Sequence, residues 1–135
     1  MKILRFNEGR WGVLEGELVL ETDGPGGNPT GRRYDLASVT LLPPATPTKI
    51  VCVGRNYVEH AKELGNEVPK MPLIFFKPPS SVIASGGTIL LPPQSTQVEH
   101  EAELVTVIGK RGRNVTAESA RDLILGYTIG NDITA

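Results

Sequence analysis

Cysteine is nearly missing from this sequence: Cys52 is the only one in 135 residues. A lone cysteine excludes an internal disulfide, and a reducing compartment is the simplest setting for it. An excess of charge of one sign is missing too, with 14 basic side chains against 15 acidic ones. Without a net field, nothing here recruits nucleic acid or an anionic membrane surface. No apolar run approaches the roughly 20 residues of a spanning helix. At the start, Ile3-Leu4 gives way to Arg5 too soon for a signal-peptide core. Together these absences predict a soluble, cytoplasmic protein with neither nucleic acid nor membrane as partner. Internal repeats are also lacking. What is abundant is punctuation: 15 glycines and 11 prolines cut the chain into short segments and leave space for few long helices. The length and the 39 % hydrophobic content suffice for one modest core with a small appendage.

The segments between the breaks read mostly as β. Residues 2–21 look like a meander, with KILRF, WGVLE and LVLE separated by turns at Asn7-Glu8-Gly9 and Glu15-Gly16-Glu17. Residues 22–33, TDGPGGNPTGRR, read as a loop, and LLPPATP, from Leu41 to Pro47, as a stiff connector. A boundary near Ala45 therefore divides a small β-rich N-terminal domain, 1–45, from a second domain, 46–135. In the second domain, KIVCV, PLIFFK, a segment within SVIASGGTILLPP, the run around Val105 and YTIGNDITA all read as strands. Two short helices are expected. One spans Tyr57 to Leu64, with Asn56 as N-cap and Gly65 as its stop. The other is AESARDLIL, begun by Asn114 or Thr116 and ended by Gly126.

The stretch VEHEAELVTVIGK carries Glu99, Glu101 and Glu103 at every second position and continues through Val105 and Val107. Alternate residues of a strand share a face, so three like charges line a face that turns apolar. No Lys or Arg lies between Lys77 and Lys110 to offset them. A solvated strand face is one reading. The other is a divalent cation: residues i and i+2 lie about 6.5–7 Å apart, and a hard ion such as Mg²⁺ takes one or two carboxylates plus waters at about 2.0–2.1 Å. Asp132 is the candidate third ligand, because an aspartate inside a β-type run is otherwise unfavourable; a turn after Gly130-Asn131 is its alternative. His60 and Glu63, three apart on the first helix, form a candidate general base, since a carboxylate orients an imidazole and raises its basicity. An ordinary polar pair on a helix surface is the competing reading. Lys77 ends an apolar strand and could hold a substrate carboxylate or simply snorkel from a core edge. His100 should pack on the opposite strand face, and Cys52 should be inert core.

VGRNYVEHAKE, FFKPPS, VEHEAELVTVIGKRGRNV and GYTIGNDITA, in that order from Lys49 to Ala135, resemble the fumarylacetoacetate hydrolase family. The resemblance implies a mixed, mostly β fold: a β-roll catalytic domain preceded by a small β-rich domain. It implies Mg²⁺, with Mn²⁺ or Ca²⁺ as alternatives, held by Glu101, Glu103 and Asp132. Glu99 falls outside the motif and is expected to be solvated. His60, Glu63 and Lys77 match catalytic positions: a His-Glu pair on a short helix that closes over the substrate, and a lysine beside it. Arg55 stands where many relatives have an apolar residue. Family catalytic domains continue beyond the G-N-D motif, so residues 46–135 are expected to be the first part of a longer domain, poorly stable by itself.

The implied chemistry is enolate formation on a 2-oxo or 2-hydroxy-dienoic acid. The readings are a 2-hydroxyhepta-2,4-diene-1,7-dioate isomerase or decarboxylase of aromatic catabolism, an acylpyruvate C–C hydrolase, or an oxaloacetate decarboxylase. The resemblance also implies a homodimer and a small-molecule 2-oxo acid as partner. A β-rich binding or assembly module without catalysis is the competing class.

Overall fold

The computed structural model describes residues 1–63, 65 and 67–135, without the His60 side chain. Two compact units emerge: residues 1–45 with 84–135, and residues 46–83. The architecture is mostly β.

In the first unit, β1 (Ile3–Phe6), β2 (Arg10–Glu15), β3 (Leu18–Thr22), β4 (Pro29–Asp35) and β5 (Leu41–Leu42) build an antiparallel sheet in the order β4-β3-β2-β1-β5. The expected meander is there, and its turns use the residues that permit them. Asn7 and Gly9 adopt φ of 49° and 100°, and Gly16 adopts 60°, conformations that Asn and Gly tolerate best. The core of the sheet is Phe6 and Val19, both completely buried. Gly12 makes their approach possible, since a Cβ there would meet Val19 Cγ1 at 2.7 Å and Phe6 Cε1 at 3.2 Å. Tyr34 sets its ring edge-on to Phe6 at 5.3 Å.

Two segments of this sheet depart from expectation. Residues 29–33 were expected in a loop but belong to β4; only the tip is loop, held by Asn28 N–H donating to Asp23 Oδ1 at 2.7 Å. The pairing register slips between Leu20 and Thr22, and Gly31, at φ 86°, absorbs the extra residues as a bulge does. Leu41 and Leu42 are no mere connector, because they pair with Phe6 and Arg5.

The same unit contains β8 (Ala102–Ile108) and β9 (Ile124–Asn131), paired antiparallel. Between them lies α2 (Ala117–Ala120), where Thr116 is the N-cap and accepts from Ser119 N–H at 3.4 Å. The expected helix over 117–125 is shorter than predicted. After one 3-10 turn over Arg121–Leu123, Ile124 and Leu125 join β9, since β-branched and apolar residues gain more in a ladder than at a frayed helix end. The strand expected within SVIASGGTILLPP does not form: residues 82–98 carry no strand, and Leu90 and Leu91 are exposed. The prolines on its C-terminal side cannot donate to a ladder.

The second unit pairs β6 (Ile50–Gly54) with β7 (Leu73–Lys77) antiparallel. Between them stands α1 (Val58–Glu63), anchored by the buried Ala61. Cys52 was expected in the core; it is only half-buried in β6. No helix among the described residues is long and apolar enough to cross a membrane.

Candidate metal and active site

The acidic face is built by strand register. From Glu99↔Thr134 through Ala102↔Asn131 and Glu103↔Gly130 to Val107↔Gly126, opposing residue numbers keep one constant sum. That register sets Glu101 opposite Asp132, and Asp132 N–H donates to Glu101 O at 2.8 Å. Directly opposed residues share a face, with Cα atoms about 4.5–5.5 Å apart. Glu103 follows on the same face, two residues along. The ladder therefore brings Glu101, Glu103 and Asp132 onto one face across two strands.

Burial follows the same alternation. Glu101, Glu103, Val105 and Val107 are half-buried, as are Thr128, Gly130 and Asp132 opposite them. The other face carries Leu104, Ile108, Tyr127 and Ile129, each more than 60 % exposed. The carboxylates thus sit on the better-covered face, where the valines already pointed. Glu99 differs: it is exposed, accepts from Gln97 Nε2 at 2.7 Å, and lies in an isolated bridge rather than in β8. His100, expected to be packed, is exposed; beside it the ladder has thinned to that isolated bridge.

Three features fit this face to a divalent cation. Its donors are all carboxylate oxygens, the chemistry hard cations prefer. Asp132 Oδ1 is sealed from solvent. Opposite Glu103 stands Gly130, where a Cβ would come within 2.8 Å of Val105 Cγ2; a side chain there would occupy the space beside the carboxylates. Among the described residues no three acidic, imidazole or thiolate side chains already converge as a cage. The backbone supplies the placement, and glutamate side-chain rotation would supply the convergence.

The remaining candidates belong to the 46–83 unit. His60 lies on α1, and its side chain is outside the described residues, as is the geometry of its expected pairing with Glu63; the Glu63 side chain is exposed. Lys77 ends β7 opposite Ile50 and is half-buried, whereas Leu73 to Phe76 before it are exposed. Arg55 takes φ 56° between β6 and α1, a left-handed conformation that costs a non-glycine residue on the order of 1 kcal/mol.

Two arrangements were not legible beforehand. Glu101 N–H donates to the side-chain Oδ1 of Asn131 at 3.1 Å; the only sequence signal was an asparagine directly before the candidate aspartate. In the N-terminal sheet, Glu21 is buried and accepts from Tyr34 OH at 2.8 Å, and Tyr34 accepts from Arg10 at 2.7 Å. The Tyr34 hydrogen bond, with Arg32, Thr30 and Arg10 in support and burial opposing, holds the Glu21 carboxyl below the usual carboxylate range.

Known proteins share the sequence pattern and the fold of this chain. Residues 49–135 match the family described as fumarylacetoacetate (FAA) hydrolase C-terminal, and residues 1–44 match the Rv2993c-like N-terminal family. The mitochondrial oxaloacetate tautomerase FAHD1 of Arabidopsis thaliana is 56 % identical over 88 residues, covering 65 % of this chain and 40 % of the relative. The solved 5-carboxymethyl-2-hydroxymuconate delta-isomerase of Mycobacterium smegmatis superposes with a TM-score of 0.86 at 36 % identity, covering 100 % of this chain and 56 % of that one. The maleylpyruvate hydrolase of Sphingobium sp. SYK-6, solved with manganese(II) and pyruvate, gives a TM-score of 0.71 at 27 % identity, over 98 % of this chain and 58 % of its own. The chain spans about half the length of the relatives it matches. By sequence match over residues 49–135 and by fold along its whole length, the chain belongs to the fumarylacetoacetate hydrolase family.

Proposed function

We propose that this chain is the metal-holding part of a divalent-metal-dependent enzyme that enolises a 2-oxo acid. The observation that carries the proposal is the unbroken register that sets Glu101, Glu103 and Asp132 on one half-buried face. When bound there, Mg²⁺ or Mn²⁺ supplies Lewis-acid stabilisation of negative charge on the substrate's carbonyl and carboxylate oxygens. The three carboxylates hold and orient the ion, and the covered side of the hairpin limits water around it. His60, kept basic by Glu63, takes the proton from the carbon next to the 2-oxo group or from an attacking water. Lys77, as the half-buried cation at the end of β7, holds a substrate carboxylate. Residues 1–45 serve as the N-terminal domain and 46–135 as the first part of the catalytic domain of a cytoplasmic homodimer.

A short 2-oxo dicarboxylate such as oxaloacetate is the first substrate to test, on the strength of the 56 % identity to an oxaloacetate tautomerase. A 2-hydroxyhepta-2,4-diene-1,7-dioate-type substrate is the second reading. It is favoured by the solved 2-hydroxyhepta-2,4-diene-1,7-dioate isomerase of Mycobacterium marinum, which covers 100 % of this chain, including the N-terminal sheet. Both reactions interconvert enol and keto forms of a 2-oxo acid through an enolate, so one assay covers both. The intact protein is given each substrate with Mg²⁺, and the ultraviolet absorbance of the enol is followed. Turnover is expected with metal, falling to the uncatalysed background in Asp132→Ala. Full wild-type turnover in excess EDTA would overturn the proposal.

A further inference from the structure

The ladder between β8 and β9 changes partners where the carboxylates sit. At Glu99↔Thr134 the main chains exchange both bonds: Glu99 N–H to Thr134 O at 2.8 Å, and Thr134 N–H to Glu99 O at 3.1 Å. In an antiparallel pair such double-bonded positions recur at every second residue, so Glu101 and Asp132 come next. There the main chain makes one bond, Asp132 N–H to Glu101 O at 2.8 Å. The return bond runs from Glu101 N–H to the side-chain Oδ1 of Asn131 at 3.1 Å. The main-chain oxygen of Asp132 accepts from Thr134 Oγ1 at 3.4 Å. A side-chain amide thus stands where a ladder carbonyl would be, and β9 ends at that residue.

We propose that Asn131 is a positioning residue for the carboxylate site, an inference that rests on the metal reading above. Its amide oxygen fixes the main chain of Glu101, and so the root of the Glu101 carboxylate. By taking the acceptor role, it lets the Asp132 main chain leave the strand while its N–H stays bonded to Glu101. One residue therefore sets both ligand roots from opposite strands. Asn131 itself projects to the exposed face and holds no ion; it acts through the strand. Groups that orient metal ligands change metal affinity about 10–100-fold when removed, and that range sets the size of the effect.

The test is calorimetric titration of Mn²⁺ into intact wild type, Asn131→Ala and Asn131→Asp, with melting temperatures of the metal-free forms. Asn131→Ala is expected to weaken Mn²⁺ binding about tenfold or more with little change in metal-free melting. Asn131→Asp keeps an oxygen within reach of Glu101 N–H and should recover most of the affinity. Should Asn131→Ala not fold, Asn131→Ser, whose hydroxyl stops short of that N–H, is expected to show the same weakening. Wild type that takes up no Mn²⁺ defeats the metal reading itself. Wild type that binds, with the Ala or Ser variant binding equally well, defeats the Asn131 role alone. Asp and Ala variants equally impaired, with a lowered metal-free melting temperature, reduce Asn131 to ordinary strand stability and also overturn the inference.

Discussion

Gly130→Ala asks whether the carboxylate face needs the space that glycine leaves in it. A Cβ at 130 would stand 2.8 Å from Val105 Cγ2, where carbon contacts settle at about 3.5–4.0 Å. The shortfall is roughly 0.7–1.2 Å, taken from those two separations. Val105 is β-branched and stiff at χ1, so it must leave its rotamer or the strands must part. Overpacking of this kind costs about 1–3 kcal/mol. Alanine returns about 0.4–1 kcal/mol by restricting the unfolded chain, leaving a net loss of about 1–2 kcal/mol. Gly126 is the internal control: it lies in the same strand, on the same face, with nothing within 4 Å of a Cβ. Gly126→Ala should therefore be neutral or stabilising by up to about 1 kcal/mol. In urea unfolding of the intact protein, the two variants should separate by about 2 kcal/mol. Gly130→Ala as stable as Gly126→Ala would refute the reasoning, because the register would then not hold Val105 against position 130.

Three more outcomes follow from the same structure. Asp132→Ala or Glu103→Ala should abolish Mn²⁺ uptake seen by calorimetry, whereas Glu99→Ala, altering an exposed side chain tied to Gln97, should bind as wild type. His60→Ala should lose hydrolysis or decarboxylation and keep Mn²⁺ affinity; equal turnover in mutant and wild type would remove the general-base role. The N-terminal sheet should be acid-sensitive through Glu21. Its folded pKa is lowered by Tyr34, so its stabilising contribution is whole above the ordinary carboxylate pKa of about 4.3 and is lost as pH falls through the lowered value. Melting temperature against pH should show this acid limb in wild type and a flatter one in Glu21→Gln.

The N-terminal meander was readable because its turns are local: Asn7, Gly9 and Gly16 announce positive φ, and strands between tight turns have little choice of neighbour. β4 was hidden by the same logic. Glycine and proline density marks a loop on average, yet Pro29 opens an edge strand, where its missing N–H costs nothing, and Gly31 forms the bulge. The reverse error occurred at Ile89 to Leu91. Those residues have strand propensity, but propensity measures fit to a pleated surface, and among the described residues no partner strand takes them up. Ile124 and Leu125 went wrong for a related reason, since helical periodicity cannot register that β8 lies waiting to pair with Ile124 and the strand it opens.

The carboxylate face shows where sequence reading gains and loses its grip. Glu101 and Glu103 were visible because a period of two is local. Asp132 was visible only as a misfit in a β-type run, since the 28 residues between it and Glu103 obey no local period. Pairing is what converts that distance into adjacency. Register is also all-or-none: a slip of one residue would turn Asp132 to the face of Leu104 and Ile108, away from Glu101 and Glu103. Whatever pins register at the end of β9 therefore decides whether two or all three of the proposed ligand carboxylates share one face. The main-chain bond from Asp132 to Glu101 and the Asn131 side-chain bond cross the hairpin at that point, and neither could be inferred from the letters G-N-D. The residue types suggested the proposed chemistry, whereas the placement of the third carboxylate is seen only in the two hydrogen bonds that cross the strand pair.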